Sequence, residues 1–550
     1  MGSSDLSATF SEPLVWRKAY PVAGEVRDSV AGSDGRPAFD ALYAAAVDGD
    51  EEAARQLAHL LISLRPSRPH ADVEHALVLA LRTPWASPAA LVRAAVDYLL
   101  LDPRVAAAGG GGDDFRQLSE AAAQLAANEL FATLLNTAVV GDLRLERLLI
   151  ALRDRAEVEP PTGPAELRLA ALLALQAHLV EYLWPETRRE TAKASASDGA
   201  PAEPVVAGRA LVNCIFRPPT PAEIAALETI ASEPAVRTLL ERVRDEPARE
   251  DRYRQQLERS SLSLATSVNY LSRDDSPFPR WIHAPRTARR VPMPVRARMR
   301  NACFERPEIL VAGCGTGQSL LSLRATFPTA FITAVDCGTA DLAYAKRKCE
   351  EAGVSGIEFV AAELFDLPPL GWMFDLIEYA GAVRHLLDLE DECAALARCT
   401  TPTSLLRLEV LSEGPRRLIA ALQGVMRERS LAPTLVDLRA FRGELIDGRH
   451  GPLPAALLES IEFCTTSGLR NVLFAADEHV LDASAWITQL DAHGFDFVCG
   501  EANEELLRAA QAAGFASAAT WSIRDWERFE RADPVVFGGR YSLWFARRAR

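Results

Sequence analysis

The stretch Pro307–Asp336, PEILVAGCGTGQSLLSLRATFPTAFITAVD, decides the fold of the carboxyl-terminal half of the chain. It opens with the apolar run Ile309-Leu310-Val311-Ala312, which has the length and β-branching of a buried parallel strand. Glycines follow at alternate positions, Gly313, Gly315 and Gly317. A chain leaving a strand for a helix must turn sharply there, and missing side chains let a ligand lie against the backbone. Leu320, Leu321 and Leu323 mark the apolar side of the helix, and a second apolar run, Phe331–Val335, ends in Asp336. Strand, glycine turn, helix, strand and acid make a nucleotide-type half-Rossmann unit, in which the acid can accept both hydroxyls of a ribose.

The alternation continues beyond it. Asp341–Gly353 is predicted as a helix with Lys346, Arg347 and Lys348 outward, Ile357–Val360 as a third strand, Phe374–Tyr379 as a fourth and Leu405–Leu411 as a fifth. This order predicts a doubly wound parallel sheet that binds ligands at the carboxyl ends of its strands.

Upstream, from about Pro37 to about Leu257, the chain reads as helices. Apolar residues recur at three and four, as in Leu57-Leu60-Leu61 and Val73-Leu77-Leu81, and Glu129–Arg155 reads as two helices hinged at Gly141-Asp142. The isolated histidines of this half, His59, His70, His75 and His178, are read as surface or packing residues.

Between the halves lies SPFPRWIHAPRTARRVPMPVRARMRNACF, Ser276–Phe304, with seven arginines, five prolines and no acid. Two readings stand: a gate that draws an anionic acceptor through Arg280, Trp281 and Arg286, or a basic linker lying on an acidic helical domain.

Composition sets the outer bounds. With 550 residues and 49% hydrophobic content the chain can build two or three cored domains. A net charge of -15 argues against nucleic-acid binding, and nine scattered cysteines without C-x-x-C or any metal-ligand spacing suit a reducing compartment and no metal. No long uncharged apolar run is present, so a cytoplasmic protein without membrane association is expected.

The spelling ILVAGCGTGQ, 309–318, resembles the first motif of class I S-adenosylmethionine (SAM) methyltransferases. Other pieces resemble a bacterial group of large SAM-dependent methyltransferases with a helical, sometimes tetratricopeptide-containing, amino-terminal region. They include SPFPRW at 276–281, LAYAKRK at 342–348, FDLIEYAGAVRHLLD at 374–388, FCTTSGLRNVLFAADEH at 463–479 and FGGRYSLWF at 537–545.

The resemblance implies SAM as cofactor, its methionine part over Gly313, Cys314, Gly315 and Gly317 and its ribose on Asp336, with Cys337 adjoining. It implies that Glu363, with Leu364 beside it, meets the adenine, and the strand-end residues Glu378 and Tyr379 are expected to line the methionine pocket. It further implies that the catalytic domain, 306–550, carries a helical insertion at 413–490 as a lid, and that Phe495–Val498 and Tyr541–Phe545 complete the sheet, the last strand antiparallel. The remaining divisions are an all-helical domain at 1–270, for recognition or dimerisation, and the arginine segment at 271–305. The chain departs from the group at Arg384, Asn471 and Ala475, where relatives carry acids or histidines.

Methyl transfer needs alignment and exclusion of water more than acid–base help. His385, after the fourth strand, is the candidate general base; Arg470, with Glu478 and His479 on the lid, can clamp a carboxylate or form a structural ion pair. The favoured expectation is O-methylation of a peptide or protein carboxylate, with a homodimer through the helical domain as a further option. The alternatives are small-molecule O- or N-methylation and a SAM-binding scaffold without turnover.

Overall fold

The computed structural model describes residues 36–66, 68–109, 115–185, 206–262, 276–301, 304–380, 389–451, 453–474, 483–502, 504–515, 521–532 and 540–548. Seven strands form one sheet in the order β3-β2-β1-β4-β5-β7-β6. They are β1 (Glu308–Ala312), β2 (Phe331–Asp336), β3 (Ile357–Ala361), β4 (Phe374–Ala380), β5 (Thr400–Leu411), β6 (Phe495–Gly500) and β7 (Arg540–Arg547). The first five run parallel, while β7 lies antiparallel to both β5 and β6. The expected run of apolar strands is therefore observed, the antiparallel closure included.

Parallel neighbours require crossovers, and helices supply them on both faces. Gln318–Thr326 and Thr339–Glu351 cover the face bearing Ile309, Val311 and Leu376. Leu389–Arg398 and Ala483–Ala492 cover the face bearing Leu310, Ile377 and Tyr379. Burying each such leucine or isoleucine is worth about 1.5–3 kcal/mol. Strand order reverses between β1 and β4, so the crevice at their carboxyl ends is where a ligand is expected.

Residues before the sheet form a helical body from Arg36 to Arg259 around its own leucine- and alanine-rich core. The expected hinge is real: Glu129–Thr137 stops, and Asp142 caps Leu143–Val158 by accepting from the Arg144 and Leu145 amides. This body grips the catalytic half, which corrects one expectation. Arg347 and Lys348 do not point outward but are buried. The helix Glu246–Arg259 lies over them, and Arg347 pairs with Glu246 at 3.1 Å, Glu250 at 2.8 Å and Glu351 at 2.7 Å. A basic run in an amphipathic helix reads as solvated until a second, acidic helix is packed on it.

The insertion after β5 is helical, with Leu435–Ile446 and Thr466–Phe474 among its elements. It packs on the helical body. Arg442 makes a bidentate, buried ion pair with Glu146, at 2.6 and 2.7 Å, and Leu183 of the body enters the insertion's core. A Cβ built on Gly141 would stand 2.1 Å from the Glu459 carbonyl oxygen, so only glycine allows this approach. Ala483–Ala492 instead belongs to the sheet, with Trp486 in its core. No described helix is long and apolar enough to cross a membrane.

Candidate active site

The turn after β1 is built by three left-handed glycines, Gly313 (φ 74°), Gly315 (φ 51°) and Gly317 (φ 76°). They serve different purposes. A Cβ on Gly317 would lie 2.7 Å from the Ala345 Cβ, so its absence lets the helices Gln318–Thr326 and Thr339–Glu351 approach. A Cβ on Gly315 would meet nothing within 4 Å, so this glycine borders open space. The turn is tied to β2, because the Gly313 and Cys314 amides donate to the Val335 carbonyl at 2.9 and 3.1 Å.

Asp336 faces this turn. Its Oδ2 accepts from the Gly315 amide at 2.9 Å and its Oδ1 from the Gly338 amide at 2.8 Å. The two backbone donors fix the orientation of this carboxylate beside the turn. Burial, with Asp336 beside it, pushes the Cys314 thiol well up, which keeps it neutral. Cys337 lies next to the same carboxylate. These groups fit a nucleoside: a side-chain-free loop bordering open space, and an oriented acid for a diol.

At the same edge, Glu363 follows β3, half-buried, its amide donating to Asp366 at 2.9 Å, while Leu364 is buried in the sheet core. The expectation that Glu378 and Tyr379 line one pocket does not hold, because successive strand residues point to opposite faces. Tyr379 packs edge-on against Trp486, 6.1 Å between ring centres, and hydrogen-bonds Glu392. Burial raises the Glu392 carboxyl to about 7 against that bond. Glu378 takes the other face and pairs with Arg289 at 3.0 Å.

Arg289 is the site residue that sequence reading missed. It reaches from the arginine segment to the end of β4, also touching the Ser319 carbonyl at 3.4 Å. Beyond it a charged strip crosses the strand ends. Arg407 of β5 pairs with Glu409 at 2.7 Å and Glu501 at 2.9 Å, and the Trp544 indole donates to Glu501 at 2.7 Å. Burial opposes charge on Glu409, but Arg407, Arg540 and Arg289 outweigh it and hold its pKa below the usual range. Seven similar arginines stand in that segment, and nothing in their spacing singled out the one that reaches the sheet.

The segment itself is clamped rather than swinging. Trp281 is buried; its indole donates to the Thr316 carbonyl at 3.0 Å, and the Thr316 hydroxyl donates to the Pro279 carbonyl at 2.8 Å. The Trp281 amide donates to the Tyr344 hydroxyl at 2.8 Å, and the His283 ring to the Leu81 carbonyl. Arg280 points toward the helical body, its guanidinium 5.9 Å from the centre of the Tyr344 ring, and Arg286 is exposed. Arg470 donates to the Pro433 carbonyl at 3.1 Å and lies near Glu181. His385, Glu478 and His479 fall outside the described residues, as do Arg384 and Ala475. No metal-binding group of three acids, histidines or cysteines occurs among the described residues.

Residues 309–403 match the family model described as a methyltransferase domain. An uncharacterised protein of Synechococcus sp. is 40% identical over 119 residues, 22% of this chain and 28% of that one. The demethylmenaquinone methyltransferase of Thermus thermophilus is 29% identical over 169 residues, 30% of this chain and 72% of that one. Among solved structures, PKMT2 from Rickettsia typhi aligns over 44% of this chain and 49% of its own, with 15% identity and a TM-score of 0.34. This chain therefore spans well under two thirds of the first of these relatives. Sheet order, glycine turn and family model together make residues 309–403 part of a methyltransferase domain.

Proposed function

We propose that the chain is a SAM-dependent methyltransferase acting on a carboxylate or other nucleophile of a peptide or protein. The observation that carries the cofactor half is the Asp336 carboxylate hydrogen-bonded to the Gly315 amide, at the point where β1 and β4 part. Gly313, Cys314, Gly315 and Gly317 would carry the methionine part, Asp336 the ribose, and Glu363 with Leu364 the adenine. Bound there, SAM supplies a methyl group already activated on a sulfonium.

The chain's own residues then have two tasks, alignment and exclusion of water. Arg289, paired to Glu378, closes the arginine segment over the end of β4 beside the glycine turn. The strip Arg407, Glu409 and Glu501 gives the neighbouring wall fixed charges that can orient a polar acceptor. His385 follows β4 in sequence and remains the candidate base for a protonated acceptor.

Two features support a large acceptor carrying negative charge: a helical body fused to the catalytic half, and an arginine segment facing both. Small-molecule methylation is the second reading, favoured by the name of the Thermus relative. Incubating the purified protein with methyl-labelled SAM and cell extract decides between them. Label in base-labile protein or peptide esters supports the first reading, label in low-mass metabolites the second, and no transfer to either counts against turnover.

A further inference from the structure

The helix Pro164–Leu179 does not end on glycine. It ends in two consecutive left-handed residues, Glu181 (φ 53°) and Tyr182 (φ 60°). Each is a strained conformation for a residue with a side chain, one that persists only where surroundings impose it and that gathers at ligand clamps. Here the insertion imposes it. The Thr466 hydroxyl donates to the Glu181 carbonyl at 2.7 Å, and the Ser467 amide to the Glu181 carboxylate. The Arg439 guanidinium donates to the Tyr182 carbonyl at 3.0 and 2.6 Å.

His178 in the last turn of the helix and Glu181 and Tyr182 in the strained turn all lie close enough to Arg280 to feel its charge. All four residues keep part of their surface accessible, although protein crowds the first three closely enough for burial to dominate their titration. Burial, then Arg280 and Arg242, hold His178 neutral, down to about 3, and burial keeps the Tyr182 phenol protonated. Burial also raises Glu181, against its Ser467 bonds and against Arg280 and Arg470, both near enough to favour its charge.

Arg280 is the unusual member. Its neighbours on either side are pinned to the glycine turn, through Pro279 and Trp281. Yet its guanidinium has no hydrogen bond or ion pair among the described residues, only the face of Tyr344. The other charges near it are committed: Arg242 to Glu246 at 2.8 Å, Glu250 to Arg347, and Glu181 to the Ser467 amide. A positioned, unpaired guanidinium offers a fork that matches a planar anion. Glu181 opposes a dianion such as phosphate, which leaves a monoanionic carboxylate as the better match.

On the methyltransferase reading above, we propose that this junction of helical body, arginine segment and insertion is the anchoring subsite for an acidic acceptor peptide, whose carboxylate pairs with Arg280 beside the Tyr182 hydroxyl and His178. The anchored carboxylate is not the methylated one. Because Trp281 and Pro279 hold Thr316, which lies inside the turn between Gly315 and Gly317, occupation of the subsite and of the glycine turn share one support, and coupling between them must be reciprocal.

Fluorescein-labelled hexaglutamate, with hexalysine and hexaserine controls, tests the proposal by anisotropy on the full chain. S-adenosylhomocysteine binding is measured by calorimetry on the same samples. Wild type is expected to take hexaglutamate over both controls, and free acetate to compete better than phosphate. Arg280→Gln should weaken hexaglutamate at least tenfold, Tyr182→Phe severalfold, and Glu181→Gln should tighten it. S-adenosylhomocysteine affinity should change less than threefold in Tyr182→Phe. Equal hexaglutamate affinity in wild type and both Arg280→Gln and Tyr182→Phe overturns the subsite, as does a preference for hexalysine or no binding by wild type. Binding of hexaglutamate without S-adenosylhomocysteine keeps the subsite and removes the cofactor reading instead.

Discussion

Alanine at Gly315 and at Gly317 should fail in different ways. Both glycines are left-handed, so either alanine costs roughly 1–2 kcal/mol of backbone strain. At Gly317 the new methyl would also lie 2.7 Å from the Ala345 Cβ, 3.1 Å from the Leu320 Cδ1 and 3.3 Å from the Ala345 Cα. Overpacking of that kind adds about 1–3 kcal/mol, because a helix backbone cannot shift as a flexible side chain can. Gly317→Ala should therefore lose roughly 2–5 kcal/mol. At Gly315 the new methyl would meet nothing within 4 Å, so only the strain remains and the protein should stay folded. The methyl instead enters the space assigned to cofactor, and S-adenosylhomocysteine affinity should fall at least tenfold. Urea denaturation and calorimetry on both variants provide the check. A Gly317→Ala protein as stable as wild type, or a folded Gly315→Ala protein with wild-type affinity, would refute the division between a packing glycine and a ligand glycine.

Other outcomes follow from the same geometry. Glu146→Ala strands the buried Arg442 and should cost about 3–5 kcal/mol in urea denaturation, whereas the double change Glu146→Leu with Arg442→Met should recover most of that loss. Trp281→Phe removes the hydrogen bond to Thr316 and should cost about 1 kcal/mol, with a severalfold loss of S-adenosylhomocysteine affinity seen by calorimetry. Glu392 gives a pH signature. Its folded carboxyl is raised from 4.5 to about 7, so its stabilising contribution is full below 4.5 and is lost as pH climbs through about 7. That displacement is worth roughly 3 kcal/mol, and Glu392→Gln should flatten the decline in melting temperature across this window.

The half-Rossmann unit was legible because its signals are local. Apolar runs of strand length, alternate glycines and a terminal acid each act within thirty residues, and the sheet assembled from them as read. The helices of the amino-terminal half were legible for the same reason, down to the break at Asp142. Contacts between distant segments were not. Arg442 meets Glu146 across 296 positions, Arg347 is covered by a helix almost a hundred residues upstream, and Arg289 finds Glu378 across 89. Charged side chains carry no mark of whether water or a carboxylate will face them, so burial of Arg347 and Lys348 required the packed structure. Glu378 and Tyr379 show a simpler lapse, since strand alternation alone separates them.

The account rests on Asp336 and the glycine turn holding a SAM-type nucleoside. Isothermal titration of S-adenosylhomocysteine into wild type and Asp336→Asn tests this directly, with circular dichroism confirming that both are folded. Saturable one-to-one binding by wild type, weakened tenfold or more in Asp336→Asn, is the expected result. No heat of binding in wild type, or equal affinity in the two proteins, contradicts it.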